Sequence, residues 1–369
     1  MRGVRTASLY CAAGPPAGLT VQPAAAGSLL ELDRDEVIAA FREHGVLVFQ
    51  GFPVDAAVFD TFTRRFTDRF VIHANATKLR RPPEADVTIG TVDYGGRALD
   101  PHSELAFLPR PFRPDILFLH GVTQAPVGGA TTVYDGQAIA RELDPATRRI
   151  LAASRLRYRI PVPRQVWSQV LEIESPQDLA RVSGDFRIVV GGLRALSIRW
   201  LLRSASWVIG KGLRKDLATL DRDDPHFRLA AFLAGPDAQA DSIYVDWETP
   251  ALTRSRFSGQ EALATSLFSG YMRLYGRVNG RRVFRYRSFV SRLLETVERH
   301  RTPIAWGGGD VLMIDNTRMM HGRERFEDSA GARRHVRTRY GLASWAGGSG
   351  DGEEAAAMLR DRGRHAENP

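Results

Sequence analysis

Three short apolar runs, far apart in the chain, commit it to a sheet framework. "VLVFQGF" (46–52), "DILFLHGV" (115–122) and "DVLMIDN" (310–316) are rich in β-branched and aromatic residues and bounded by Gly, Asp or Asn. Runs of this length, apolar throughout, read as strands buried on both faces. Two lie in the first third of the chain and one near its end. Strands that share one core from opposite ends argue for a single domain over residues 1–345. A helical insertion at about 150–300 and a flexible C-terminal tail over 346–369 complete that organisation. Patterning alone gives a mixed α and β domain.

Helices are expected around the framework. "DRDEVIAAFREHG" (33–45) offers Asp33 as N-cap, Glu36 three residues on, and Gly45 as a stop. Residues 55–66 read as a second helix, and 136–153 as two short helices broken at Pro145. "PVGGATTVYDG" (126–136) reads as a turn and a short strand, and 155–162 and 335–345 as further strands. Residues 262–278 read as helical, and 193–213 as an amphipathic helix interrupted by Arg194, Arg199 and Arg203. The Gly-rich "GGRALDP" (95–101) reads as a lip over whatever site the framework holds.

Composition narrows the function. Lys and Arg exceed Asp and Glu to give a formal net charge of +9, but the basic residues are scattered. No zinc-finger, RNA-recognition or P-loop pattern accompanies them, so no nucleic-acid partner is expected. A small molecule, anionic or tethered to an acidic carrier, suits the charge better. The single cysteine, Cys11, excludes an intrachain disulfide and a cysteine-rich zinc site. It fits a cytoplasmic location. No run approaches the roughly 18 apolar residues that span a bilayer, so no membrane span is expected. The opening residues do not read as a signal peptide.

The chemistry enters at "HSE" (102–104). His102 and Glu104 stand at i and i+2, so on an extended segment both side chains leave from one face and can share a metal. Among nine histidines, His321 stands out as the third ligand. It follows the buried run 310–316 and a polar turn, a rigid platform for a site. Two imidazoles and one carboxylate form the facial triad of non-haem Fe(II) oxygenases, which leaves cis positions for a chelating cosubstrate and O₂. The far carboxylate of a keto acid calls for a bidentate cation, and "GARRHVRTRYG" (331–341) supplies arginines. On a strand Arg333, Arg337 and Arg339 share one face and Arg334 takes the other, while Arg339 reads as a surface charge.

These motifs, with "APVGGATTVYDG" (125–136), "DVLMIDNTRMMHGR" (310–323) and "GVLVFQGF" (45–52), carry a family resemblance. The chain resembles the iron(II)/2-oxoglutarate-dependent oxygenases of the taurine dioxygenase (TauD/TfdA) and clavaminate synthase-like family. The resemblance runs over residues 33–345 and is unmatched in detail at 165–300. It implies a mainly β fold, a double-stranded β-helix (jelly roll) with flanking helices and a helical insertion near its mouth. It implies His102, Glu104 and His321 as the iron ligands, with Fe(II), 2-oxoglutarate and O₂ as cofactor and cosubstrates. Thr131 matches the hydroxyl that holds the far carboxylate of 2-oxoglutarate, and Arg333 with Arg337 fit the family's arginine spacing. Arg334 stays open as an alternative. Glu104 places the chain in the oxygenating branch, since related halogenases have a small residue there. The implied reaction is oxidation, by default hydroxylation, of an unactivated C–H bond of an amino-acid-derived or specialised metabolite. Assimilation of a sulfonate or aryloxy acid, and a non-catalytic binding protein on the same fold, are the alternatives.

Overall fold

The computed structural model describes residues 4–8, 17–67, 69–71, 88–91, 96–106, 113–162, 187–190, 243–269, 277–279, 281–282, 286–304, 307–327 and 334–347. Arg333, the 193–213 segment and the tail beyond 347 lie outside these residues.

The expected buried runs form the middle of one large sheet. Its order is β1 (Val4–Ser8), β2 (Leu19–Pro23), β3 (Val46–Phe49), β18 (Val311–Asp315), β7 (Ile116–Thr123), β21 (His335–Leu342) and β4 (Arg69–Phe70), with β5 (Ile89–Thr91) also paired to β21. A smaller sheet of four antiparallel strands faces it: β17 (Arg301–Ile304), β9 (Thr131–Asp135), β19 (Met319–Arg323) and β6 (Leu99–His102). Between the two lies an apolar layer. Val46, Val48, Leu117, Leu119, Leu312, Val336 and Tyr340 of the large sheet meet Val133, Ile304 and Met319 of the small one. Central strands such as Val46–Phe49 and Val311–Asp315 are buried on both faces because helices cover the other side. This two-sheet core is the jelly roll that the family resemblance implies.

The covering helices are α1 (Arg34–His44) and α2 (Ala56–Arg64). Asp33 caps α1 by accepting from the Glu36 amide at 2.9 Å, and Asp55 caps α2 by accepting from the Val58 amide at 2.8 Å. Phe41, Phe59, Phe62 and Phe66 fill the space against Phe49 and Phe118 and are fully buried. Each contributes on the order of 1.5–3 kcal/mol of burial. Residues 136–153 form two helices, α3 (Gly136–Glu142) and α4 (Pro145–Ala153), with Pro145 opening the second.

The 150–300 region is less helical than expected where it is described. A sheet of β10 (Arg155–Val162), β11 (Arg187–Val190), β12 (Ile243–Pro250), β15 (Arg277–Val278) and β16 (Arg281–Arg282) occupies part of it. Where it is described, the helical reading of 262–278 is corrected: β13 (Thr253–Arg254) pairs with β14 (Glu261–Ala262), residues 263–269 run as irregular chain ending in a turn, and 277–278 are in β15, while 270–276 lie outside the described residues. Here the Thr265 hydroxyl accepts from the Leu267 amide at 3.1 Å, a local bond that competes with helix. Leu263, Leu267 and Phe268 instead bury against α3 and against α5 (Arg287–Arg299). The final hairpin-like pair is β8 (Val127–Gly128) with β20 (Phe326–Glu327).

Candidate metal centre

Two neighbouring strands of the small sheet bring the histidines together. His321 of β19 and His102 of β6 are direct cross-strand partners, which puts their side chains on one face. Their ring centroids are 4.4 Å apart. The register shifts by a bulge between His321 and Arg323. Gly322 stands at that point because a Cβ would lie 2.6 Å from the Leu99 carbonyl oxygen and 2.8 Å from Thr132 Oγ1. Glu104 follows β6, and its Oε2 is 4.0 Å from His321 Nε2. One ligand atom each from His102, Glu104 and His321 falls within 4.8 Å of the others, close enough for one cation to touch all three.

The donors are prepared for a cation. His102 Nδ1 is 2.8 Å from the Asp100 carbonyl oxygen. A carbonyl can only accept, so Nδ1 carries the proton and Nε2 presents its lone pair. The Tyr340 hydroxyl approaches Glu104 Oε2 at 3.4 Å from the opposite sheet. Glu104 is held from behind by Asn316. Asn316 Oδ1 accepts from the Glu104 amide at 2.7 Å, and its Nδ2 donates to the Glu104 carbonyl at 2.8 Å. The next residue, Leu105, takes φ +52°, a left-handed turn that carries the chain off the site. Ser103 points the other way; its hydroxyl donates to the Met319 carbonyl at 2.7 Å and its amide to the Thr265 carbonyl at 2.9 Å.

The expected cosubstrate contacts divide. Thr131 is buried at the start of β9, in cross-strand register with Arg323, two residues beyond His321. Arg334 approaches the same turn. Its Nε donates to the Gly129 carbonyl at 3.3 Å, and its guanidinium lies 5.4 Å from the centre of the Phe326 ring. Gly129 has φ +79°, and a side chain there would press on Arg334. Arg323 covers the same ring at 4.7 Å and donates to the Arg97 carbonyl at 2.9 Å, tying down the lip. Arg337, the other expected arginine, sits elsewhere. It lies on the face of β21 turned from the triad, 3.4 Å from His120 Nδ1, and His120 stacks on Phe59 of α2 at 5.2 Å. Arg339 shares that face and is no surface charge: it is fully buried, paired with Asp60, bonded to Thr63 and Thr88, and laid over Phe70. Arg333 lies outside the described residues. Asn316, Tyr340 and Arg323 are contributors that spacing did not reveal, although Asn316 and Arg323 sit inside the 310–323 motif.

The family described as "Taurine catabolism dioxygenase TauD, TfdA family" matches residues 11–340. Solved structures are similar in fold. The PvcB protein from Pseudomonas aeruginosa is 15% identical, with 93% of this chain and 92% of that chain covered at a TM-score of 0.54. A putative alpha-ketoglutarate-dependent taurine dioxygenase from Burkholderia xenovorans is 13% identical, with 92% and 93% covered at a TM-score of 0.55. AAD-2, solved with Mn(II) and N-oxalylglycine, is 15% identical, with 92% and 98% covered at a TM-score of 0.53. No curated protein matches the chain. Among the described residues, no helix is long and apolar enough to cross a membrane.

Proposed function

The chain belongs to the TauD/TfdA dioxygenase family, and on that premise we propose that it is an Fe(II)- and 2-oxoglutarate-dependent enzyme hydroxylating an unactivated C–H bond of a small molecule. An amino-acid-derived or specialised metabolite is the substrate class. The observation that carries the reading is the convergence of His102, Glu104 and His321 within 4.8 Å, with the His102 proton already committed to Asp100. The donor set suits a ferrous ion: two neutral imidazoles and one carboxylate on one side leave the other side open. When bound, that ion supplies the redox chemistry by which O₂ and 2-oxoglutarate give succinate and CO₂ while the second oxygen atom enters the substrate C–H bond.

The residues have separable tasks on this reading. Asp100 fixes the tautomer of His102, and Asn316 fixes the backbone that carries Glu104. The Tyr340 hydroxyl donates to Glu104 Oε2 from the opposite sheet and helps orient it. Thr131 and Arg334, not Arg337, hold the far carboxylate of 2-oxoglutarate at the Gly129 turn. Leu119, Val133 and Val336 belong to the buried apolar layer between the two sheets.

Anaerobic titration of the protein with Fe(II) and 2-oxoglutarate tests the proposal. A weak visible charge-transfer band is expected in the parent and none in His321→Ala. A band that survives in His321→Ala removes His321 from the ligand set and the proposal with it. Screening small molecules for coupled succinate release then addresses the substrate.

A further inference from the structure

The inner face of β21 carries a hydroxyl that the site has not yet used. Alternation along the strand places Val336, Thr338 and Tyr340 toward the small sheet. Tyr340 reaches Glu104 at one end, and Arg334 reaches the Gly129 turn beside Thr131 at the other. Thr338 lies between them. It is 1% exposed, and its Oγ1 is buried with no hydrogen-bond partner. Its row across the large sheet runs through Leu119, Leu312 and Val48, all apolar, so no side chain of that row can serve it.

A buried hydroxyl without a partner costs the fold its lost hydration, and valine would fill the same space without that cost. The small sheet opposite presents two rows. One runs His102, His321, Val133, Thr302; the next runs Arg323, Thr131, Ile304. Thr302 also has an unpartnered hydroxyl, but Val133 stands between it and His321. Thr338 instead shares the face of β21 from which Tyr340 reaches Glu104. A dicarboxylate held at one end by His102, Glu104 and His321 and at the other by Thr131 and Arg334 would lie along β21 between residues 340 and 334. We propose that the Thr338 hydroxyl donates a hydrogen bond to a carboxylate oxygen of bound 2-oxoglutarate and helps set its orientation. The inference deepens the function proposed above and rests on it.

Thr338→Val and Thr338→Ser test it by two readouts that need no turnover. The first is unfolding of the ligand-free protein; the second is anaerobic titration of the Fe(II)-loaded protein with 2-oxoglutarate. Thr338→Val is expected to be as stable as the parent, or more so, when ligand-free. It is expected to bind 2-oxoglutarate about tenfold more weakly, the scale of one hydrogen bond to a charged group. Thr338→Ser is expected to bind within about twofold of the parent, because it keeps the donor. A Thr338→Val protein that binds as tightly as the parent, or that is destabilised when ligand-free, overturns the inference. If the parent itself gives no charge-transfer band, the proposed function falls and the Thr338 role with it. A normal parent band with unaltered binding in Thr338→Val sinks the Thr338 role alone.

Discussion

Asn316 supports the site through the Glu104 peptide and not through a ligating atom. Its amide is fully buried and closes a two-way bond with the Glu104 peptide, and Nδ2 also donates to the Pro114 carbonyl at 2.9 Å. Asn316→Ala would strand three buried backbone groups. The expected cost is about 2–4 kcal/mol of stability, since each unsatisfied buried group costs about 1–3 kcal/mol and some are rehydrated. Metal affinity is expected to fall about tenfold or more, because support for a ligand matters nearly as much as the ligand. Urea unfolding and Mn(II) titration would measure both; an unchanged metal affinity would show that Glu104 does not need this support. His102 and Glu104 were legible because an i, i+2 pair on an extended segment needs only local geometry, and His321 because it follows the buried run 310–316. Asn316 was not, because its partner lies 212 residues away and only the sheet stacking joins them.

At the scale of elements, β21 separates what alternation can tell from what it cannot. Period two correctly divides Arg337 and Arg339 from Arg334. Which face meets the metal depends on how the two sheets pack, and that is not written in the strand. The face turned to α2 is a polar layer under a helix: Arg339 pairs with Asp60, and His120 is clamped between Phe59 and Arg337. Burial, with Arg337 adding to it, pushes the His120 pKa down to about 4. A histidine depressed in the folded state stays neutral there while the unfolded chain takes up a proton. Stability from this group is therefore full above its ordinary pKa of about 6.5 and is lost as pH falls toward 4. The shift corresponds to at most about 3 kcal/mol. His120→Phe keeps a ring against Phe59 and removes the proton. Relative to this variant, the parent is expected to lose up to about 3 kcal/mol between pH 6.5 and 4 in urea unfolding. A parent-minus-variant difference that is flat over that range would show that His120 is already solvated in the folded protein. In the described part of the helical reading over 262–278, local side-chain bonding at Thr265 and burial of Leu263, Leu267 and Phe268 win over helical periodicity, which tertiary packing can override.

The whole molecule is tied together by buried polar contacts: an ion pair and a hydrogen bond cross from the 251–269 segment to the large sheet, and a second ion pair joins the turn after β18 to β9. Arg256 Nη1 contacts both oxygens of Asp115 at 2.8 Å, and Asp115 Oδ2 also accepts from the Ala343 amide at 2.9 Å. The Ser255 hydroxyl donates to Asp315 at 2.9 Å, and burial raises the Asp315 pKa to about 6. Arg318 pairs with Asp135 at 2.6 Å and donates to the Glu43 carbonyl at the end of α1 at 2.8 Å. The same segment supplies the Thr265 carbonyl that receives the Ser103 amide between His102 and Glu104. Such pairs add little net stability over apolar residues of equal size, but removing one partner leaves a buried charge. Arg256→Met should therefore cost about 3–5 kcal/mol, because it removes the charged partner of the buried Asp115 carboxylate. If the segment and the two sheets fold as one unit, the loss appears as one cooperative transition moved to lower denaturant, and Mn(II) affinity falls with it through Ser103. Fluorescence and circular dichroism in a urea series would then coincide. Two separate transitions, with metal binding tied only to the more stable one, would mean that the 251–269 segment is a cover that can detach while the triad stays assembled.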